Sequence, residues 1–253
     1  MDGGLRQRPI LIIMGLVQEA RIAAGSGMVV ICSSSGPLQL RALLATVDAS
    51  RFRGVISFGI AGGLDPTLEC GDVVVATEVI AGGTRWLAAA LLNEELTSIA
   101  SKRRRVIRGG LAGVERVVAG RSCKAALRSE TGPAAVDMES HIAAAYAVEA
   151  ALPFAALRVI SDSAHRALPA LALSAIKPNG DIDLRRVLRG VARNPLTLSS
   201  LVSTGIDFNC ALRSLRGCRS FLPAQSGEFG GIAPRGESGT TGRRSLWCGA
   251  VPR

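Results

Sequence analysis

The sequence predicts an α/β protein with a three-layer αβα architecture, in which helices cover both faces of a twisted, mostly parallel central sheet. Three observations carry this expectation. Short apolar runs of strand length alternate with segments of helical spacing, the pattern of successive strand–helix–strand units. Those runs are apolar at consecutive positions, which suits strands buried on both faces of a parallel sheet. Only 4% of the 253 residues are aromatic while 48% are hydrophobic. A composition rich in Ala, Leu, Val and Gly suits alternating strands and helices better than a β-sandwich.

Residues 9–14 read as the first buried strand, with a helix following from about Leu16. Arg6 and Arg8 before this run resemble the charged start of a signal peptide. However, Gln18, Glu19 and Arg21 follow at once, and no small-x-small cleavage pattern stands out. Residues 28–31 form a short second strand. Pro37 opens a helix through about Val47, because proline is tolerated in a first helical turn. Residues 54–58 form a third strand, and Gly59-Ile60-Ala61-Gly62-Gly63-Leu64 reads as the loop after it. Gly71-Asp72 turns into a strand over 73–80. Residues 87–100 and 140–150 have helical spacing, and 153–160 returns as a strand whose end carries Ser161-Asp162. Leu184, Val187, Leu188 and Val191 recur at helical spacing, with Arg185, Arg186, Arg189 and Arg193 on other faces. Such a helix packs on the sheet or lies on a membrane surface. From Ser220 the composition shifts to 7 Gly, 3 Pro and 4 Ser in 34 residues, which reads as a disordered tail.

The formal charge is +10. Cations cluster at Lys102-Arg103-Arg104-Arg105 and recur at Arg108, Arg116, Arg121, Lys124 and Arg128. This suits an anionic partner or a solvated face. No apolar run reaches the length of a membrane span, so a cytoplasmic location is expected, with peripheral contact at the inner membrane surface as the variant. Cys32, Cys70, Cys123, Cys210, Cys218 and Cys248 are scattered without C-x-x-C spacing, and the histidines are His141 and His165 alone. No metal and no bound cofactor are expected.

Two carboxylates stand at the ends of strand-like runs: Glu139 in Val-Asp-Met-Glu-Ser and Asp162 in Val-Ile-Ser-Asp. Sites in open α/β sheets form at the carboxyl ends of strands. One carboxylate that stays ionised and one that handles a proton suit acid-assisted bond cleavage. Glu19, near the start of the helix after the first strand, is placed as a general base in the same crevice. Gly59, Gly62 and Gly63 let backbone N–H groups approach an oxyanion or a sugar. The run is neither a Walker loop nor G-x-G-x-x-G, so nothing points to a nucleoside triphosphate or a dinucleotide.

Gly15-Leu16-Val17-Gln18-Glu19, Ser57-Phe58-Gly59-Ile60-Ala61-Gly62-Gly63-Leu64, Gly71-Asp72-Val73-Val74-Val75, Val136-Asp137-Met138-Glu139-Ser140 and Arg158-Val159-Ile160-Ser161-Asp162 occur in this order. Together they resemble the nucleoside phosphorylase and nucleosidase superfamily, notably the methylthioadenosine/adenosylhomocysteine nucleosidases. The Val-Asp-Met-Glu-Ser wording and the Arg/Pro-rich remainder are most similar to the hopanoid-associated phosphorylases. The resemblance implies a catalytic domain over residues 1–219, with 220–253 as a tail. It implies cleavage of an N-glycosidic bond in a 5′-substituted adenosine, with adenosylhopane as substrate and water or phosphate as co-substrate. Asp162 then protonates purine N7 and Glu19 activates the nucleophile. Glu139 accepts ribose hydroxyls, Met138 packs beneath the sugar, and Asp137 and Ser161 complete the substrate site. Gly59, Gly62 and Gly63 line the nucleophile pocket.

The implied partner is a small nucleoside, lipid-linked in the hopanoid case, with no nucleic acid and with assembly as a homo-oligomer. Two rivals stand beside this reading: a housekeeping methylthioadenosine/adenosylhomocysteine nucleosidase, and a non-catalytic nucleoside- or nucleic-acid-binding protein using the basic patches. Ile60 replaces the serine usual in the nucleosidases. No aromatic is placed to stack on the purine, with Val117 and Val118 roughly in its place. Thr84-Arg85-Trp86 is a candidate for shaping a pocket around an unusual 5′ group.

Overall fold

A run of five consecutive apolar residues needs cover on both faces, and the first strand has it. The computed structural model describes residues 8–23, 28–33, 36–100, 105–174, 185, 189, 192–194 and 197–221. Every side chain of β1 (Ile10–Met14) is buried. Ile10, Ile12 and Met14 enter one core layer, while Leu11 and Ile13 enter the other, the two-residue alternation of a strand. β1 pairs in parallel with β2 (Met28–Cys32) and with β3 (Gly54–Gly63). Beyond β3 the sheet runs through β7 (Ala135–Asp137), β6 (Val106–Gly113), β4 (Val73–Ala81) and β5 (Thr84–Leu87). β8 (Phe154–Asp162) pairs with both β3 and β4.

The expected mostly parallel sheet is present: β1–β2, β1–β3, β3–β8, β4–β6 and β6–β7 are parallel. Antiparallel pairing joins β3 to β7, β4 to β5 and β4 to β8. Because β8 bridges β3 and β4, the strands β3, β8, β4, β6 and β7 close into a ring, a closure that apolar periodicity does not reveal.

Helices α1 (Val17–Ala23), α3 (Ala90–Ala100) and α7 (Thr197–Gly217) cover one face, through Ala20, Ile22, Ala23, Leu96, Ala211 and Leu215. Helices α2 (Pro37–Leu44) and α5 (Ser140–Glu149) cover the other, through Leu40, Leu44, Ile142, Ala143, Ala144 and Ala147. Leu127 of α4 (Arg121–Thr131) closes a third, smaller cluster with Leu64, Ala112 and Val136. A short α6 (Ala170–Ser174) follows β8.

Three local expectations change. Residues 59–63 are not a loop: β3 continues to Gly63 because β8 and β7 supply ladder partners that far. The helix expected over 87–100 begins at Ala90, because 84–87 is an edge strand. Gly82 and Gly83, at φ 54° and 80°, turn it back on β4, a backbone that favours glycine. Trp86 packs against the second core layer, so it serves the core rather than a 5′ pocket. The helix after Pro37 ends at Leu44, short of Val47.

Several cations of the basic series have carboxylate partners: Arg128 with Asp65 at 2.8 Å, Arg105 with Asp72 at 3.5 Å, and Lys124 with Asp162. Residues 102–104, the apolar stripe Leu184, Val187, Leu188 and Val191, and the tail from 222 lie outside the described residues. Among the described residues no helix is long and apolar enough to cross a membrane.

Candidate active site

The chain leaves β1 through Gly15 and Leu16 and enters α1 with Glu19 in its first turn. First-turn amides lack partners within a helix, and here the Glu19 carboxylate takes two of the nearby donors. The Gly15 and Leu16 N–H groups donate to Oε2 at 3.0 and 2.8 Å, and the Ile60 N–H donates to Oε1 at 2.8 Å. Glu19 is only 2% exposed. Burial raises its pKa, against the opposing pull of the Arg158 charge and the three amides.

Arg158 interrupts the apolar run of β8 and is fully buried. Such a charge persists only with partners. Its Nη2 pairs with Asp137 and donates to Ser57 Oγ at 2.6 Å and Ser140 Oγ at 3.1 Å. Glu139 Oε2 lies 3.7 Å away. Nη1 has no hydrogen-bond partner among the described residues. A methyl group at Gly59 would collide with both Arg158 Nη1 and Glu19 Oε1. Glycine is therefore required at this point for close approach, not for its φ.

Glu139 follows β7 and reaches the same place, since a Cβ at Gly15 would run into its carboxylate. Its pKa is pushed up to about 8, first by burial and then by the neighbouring Asp137 and Glu19, while Arg158 opposes the rise. Met138 is half-buried beside it, and its N–H favours the ionised Glu139. Glu19, Glu139, Asp137 and Arg158 thus form one buried cluster of three carboxylates around one guanidinium.

Asp137, expected in the substrate site, is turned into the protein. Its carboxylate is 1% exposed and committed to Arg158 and to the Ser140 N–H and hydroxyl. It holds the arginine, which in turn faces Glu19.

Asp162 lies further along β3. A Cβ at Gly62 would sit 3.2 Å from Asp162 Oδ2, and one at Gly63 would sit 3.2 Å from the Asp162 carbonyl. Of the three glycines expected at the nucleophile, Gly62 and Gly63 border Asp162, and Gly59 borders Glu19 and Arg158. Gly59 to Gly62 spans about 10 Å of strand, a length suited to a nucleoside. The β3–β8 register shifts between Ala61 and Gly62, so that Ile160 pairs Ala61 and Asp162 pairs Gly62. Such irregularities re-aim side chains next to sites. Ser161, the skipped residue, lies 2.7 Å from Asp162 Oδ1 and 3.2 Å from the Ala61 carbonyl, both within reach of its hydroxyl proton.

Lys124 of α4 is fully buried against Asp162. Its Nζ also donates to the Ser163 carbonyl at 2.8 Å and the Arg166 carbonyl at 3.1 Å. The segment after β8 is tied down further by the Leu168 N–H, which donates to the Ala119 carbonyl at 3.0 Å. Val118 packs on the small apolar cluster that includes Val136, while Val117 is exposed.

Arg158 and Lys124 carry weight that the sequence reading did not assign. Arg158 left a signal, a lone cation within Phe154–Ile160, where neighbours on both sides are apolar. Lys124 left almost none, standing in a series of cations whose other described members are exposed or, like Arg128, pair with a surface carboxylate.

Among the described residues no group of three His, Cys, Asp or Glu side chains is placed to hold a metal ion. The site thus presents acid side chains at two places, Glu19 and Glu139 around Arg158, and Asp162 beside Lys124.

A family model described as the phosphorylase superfamily matches residues 11–188. No curated protein matches. The structure is similar to 5′-methylthioadenosine/S-adenosylhomocysteine nucleosidase from Neisseria meningitidis in complex with methylthio-immucillin-A. That comparison gives a TM-score of 0.62 at 20% identity, covering 85% of this chain and 98% of that one. It is also similar to native futalosine hydrolase of Helicobacter pylori, with a TM-score of 0.61 at 18% identity over 86% and 96%. The Campylobacter jejuni methylthioadenosine/adenosyl homocysteine nucleosidase gives 0.60 at 16% over 85% and 98%. At these identities the likeness is one of fold.

Proposed function

Because the chain belongs to the phosphorylase superfamily, we propose that it hydrolyses the N-glycosidic bond of a 5′-substituted adenosine and releases adenine. The observation that carries water over phosphate is the surroundings of Glu19. The amides of Gly15, Leu16 and Ile60 form a ready anion site, and a carboxylate of the protein already occupies it. A phosphate dianion arriving there has to displace the Glu19 side chain from those amides or share the one guanidinium with the acids around it. Water meets no such barrier, and a carboxylate whose pKa is raised is the better base for it.

In this reading water sits between Glu19 and the open Nη1 of Arg158. As the C1′–N9 bond breaks, its electron pair moves onto the purine and positive charge develops on the sugar. Glu139 accepts the ribose hydroxyls and stabilises that charge. Asp162 delivers a proton to N7, so that adenine leaves neutral, and Glu19 takes the proton lost by the attacking water. The substrate we favour is adenosylhopane, on the strength of the Val136–Ser140 wording and the remainder of the chain. Methylthioadenosine is the rival within the same chemistry. Phosphorolysis keeps one supporting observation, the unpartnered Nη1 of Arg158.

The deciding assay follows adenine release from adenosylhopane and from methylthioadenosine, with and without phosphate, and weighs the sugar product. Phosphate-independent release of the free sugar is the expected result. A ribose 1-phosphate product would replace hydrolysis by phosphorolysis. Cleavage of methylthioadenosine alone would remove the hopanoid substrate, and release from neither would overturn the glycosidase reading.

A further inference from the structure

We propose that Lys124 is a positioning residue that supplies Asp162 with the proton passed to the leaving purine. This rests on the glycosidase reading and deepens it. Both oxygens of Asp162 already accept hydrogen bonds, Oδ1 from the Ser161 hydroxyl at 2.7 Å and Oδ2 from the Lys124 ammonium. With both oxygens engaged in this way, a proton handed on to N7 calls for a donor behind the carboxyl group. The nearest mobile proton is on Lys124 Nζ.

The lysine site matches an ammonium donor by donor. Three protons meet three acceptors: Asp162 Oδ2, the Ser163 carbonyl at 2.8 Å and the Arg166 carbonyl at 3.1 Å. Lys124 is 0% exposed. A buried ion pair is a poor source of stability compared with apolar packing, so its presence against the proposed acid calls for a chemical reason. In the step itself Nζ passes a proton to Asp162 Oδ2 and Asp162 passes one on to N7, while the C1′–N9 pair moves into the purine. The neutral amine left behind keeps two N–H groups for the two carbonyls. Solvent later returns one proton to Lys124, matching the one Glu19 releases, so the cycle balances without a further reactant.

The role acts through the leaving group, which makes it separable from a purely structural one. The test compares wild type, Lys124→Met and Lys124→Arg on methylthioadenosine and on a 4-nitrophenyl riboside with the same 5′ substituent, whose phenolate leaves without a proton. Arginine keeps the charge beside Asp162 but does not give up a proton. Both variants are expected to lose about 100-fold or more in kcat on the nucleoside and to stay within about threefold on the nitrophenyl riboside. KM should change little for either substrate. Parallel losses on both substrates would make Lys124 structural only. Undiminished nucleoside turnover in either variant would also overturn the proposal. If the Met variant does not fold, the Arg variant carries the same comparison. Wild type inactive on both substrates would sink the glycosidase reading itself, an outcome distinct from failure of the lysine alone.

Discussion

Burial pushes the pKa of the Glu139 carboxyl up to about 8, whereas its proposed work on a developing sugar cation needs the ionised form. The sign of the consequence follows from proton counting. Between about pH 4.5 and 8 the folded protein keeps a proton on Glu139 that the unfolded chain has released, so this group's contribution to stability is fully present below that window and is lost as pH rises through it. Glu139→Gln is therefore expected to melt higher than wild type at about pH 8.5 and to match it at about pH 5. Its turnover should fall by about 100-fold or more. A variant that melts lower at alkaline pH would show that Arg158 needs the Glu139 charge more than the fold suffers from it. Of the candidate site residues, Glu19, Glu139 and Asp162 are legible because each stands in a recognisable motif at or just after a strand. The inward turn of Asp137 to Arg158 is not, because its neighbours share that motif. Lys124 is illegible for a different reason: only tertiary packing separates one buried cation from a row of solvated ones.

At the scale of elements, strands with unbroken apolar runs announce themselves, as β1 and β8 do. β6 and α4 do not, because β6 is largely half-buried and α4 turns mostly polar faces outward. The glycines of β3 read as a loop since glycine weakens strands in general, but here β7 and β8 supply the ladder and the small residues make room for Glu19, Arg158 and Asp162. The long α7 hides its role too, as only Ala211, Ser214 and Leu215 are buried among its 21 residues. Those three matter. Ser214 Oγ donates to the Gly71 carbonyl at 2.6 Å at the entry to β4, and Leu215 lies wholly in the core. Leu215→Ala is expected to cost about 2–5 kcal/mol in denaturant unfolding. A loss below about 1 kcal/mol would mean that α7 contributes little to the first core layer.

For the molecule as a whole, the alternation of runs was enough to indicate layers and a mostly parallel sheet, because burial on both faces is written into each strand. Ring closure was not legible, since β8 reaches β4 by antiparallel pairing that no local pattern encodes. The net charge of +10 separates two uses of the surface. Catalysis on a neutral nucleoside depends on buried charges, which salt screens weakly. Adenine release should therefore change less than about twofold between roughly 50 and 300 mM salt, whereas nucleic-acid binding through the basic patches would fall steeply over that range. A steep fall in turnover would bring the surface cations into the reaction. The closed ring also governs how the protein comes apart. A strand at a free border can fray one hydrogen bond at a time, and among the described strands only β2 and β5 stand at such borders. β7 and β8, which lead to Glu139 and carry Arg158 and Asp162, have neighbours on both sides and no loose end from which to peel. Heat can unzip the margins while β7 and β8 stay whole, so Glu19, carried outside the hoop on the helix after β1, leaves its place before Glu139 and Asp162 leave theirs.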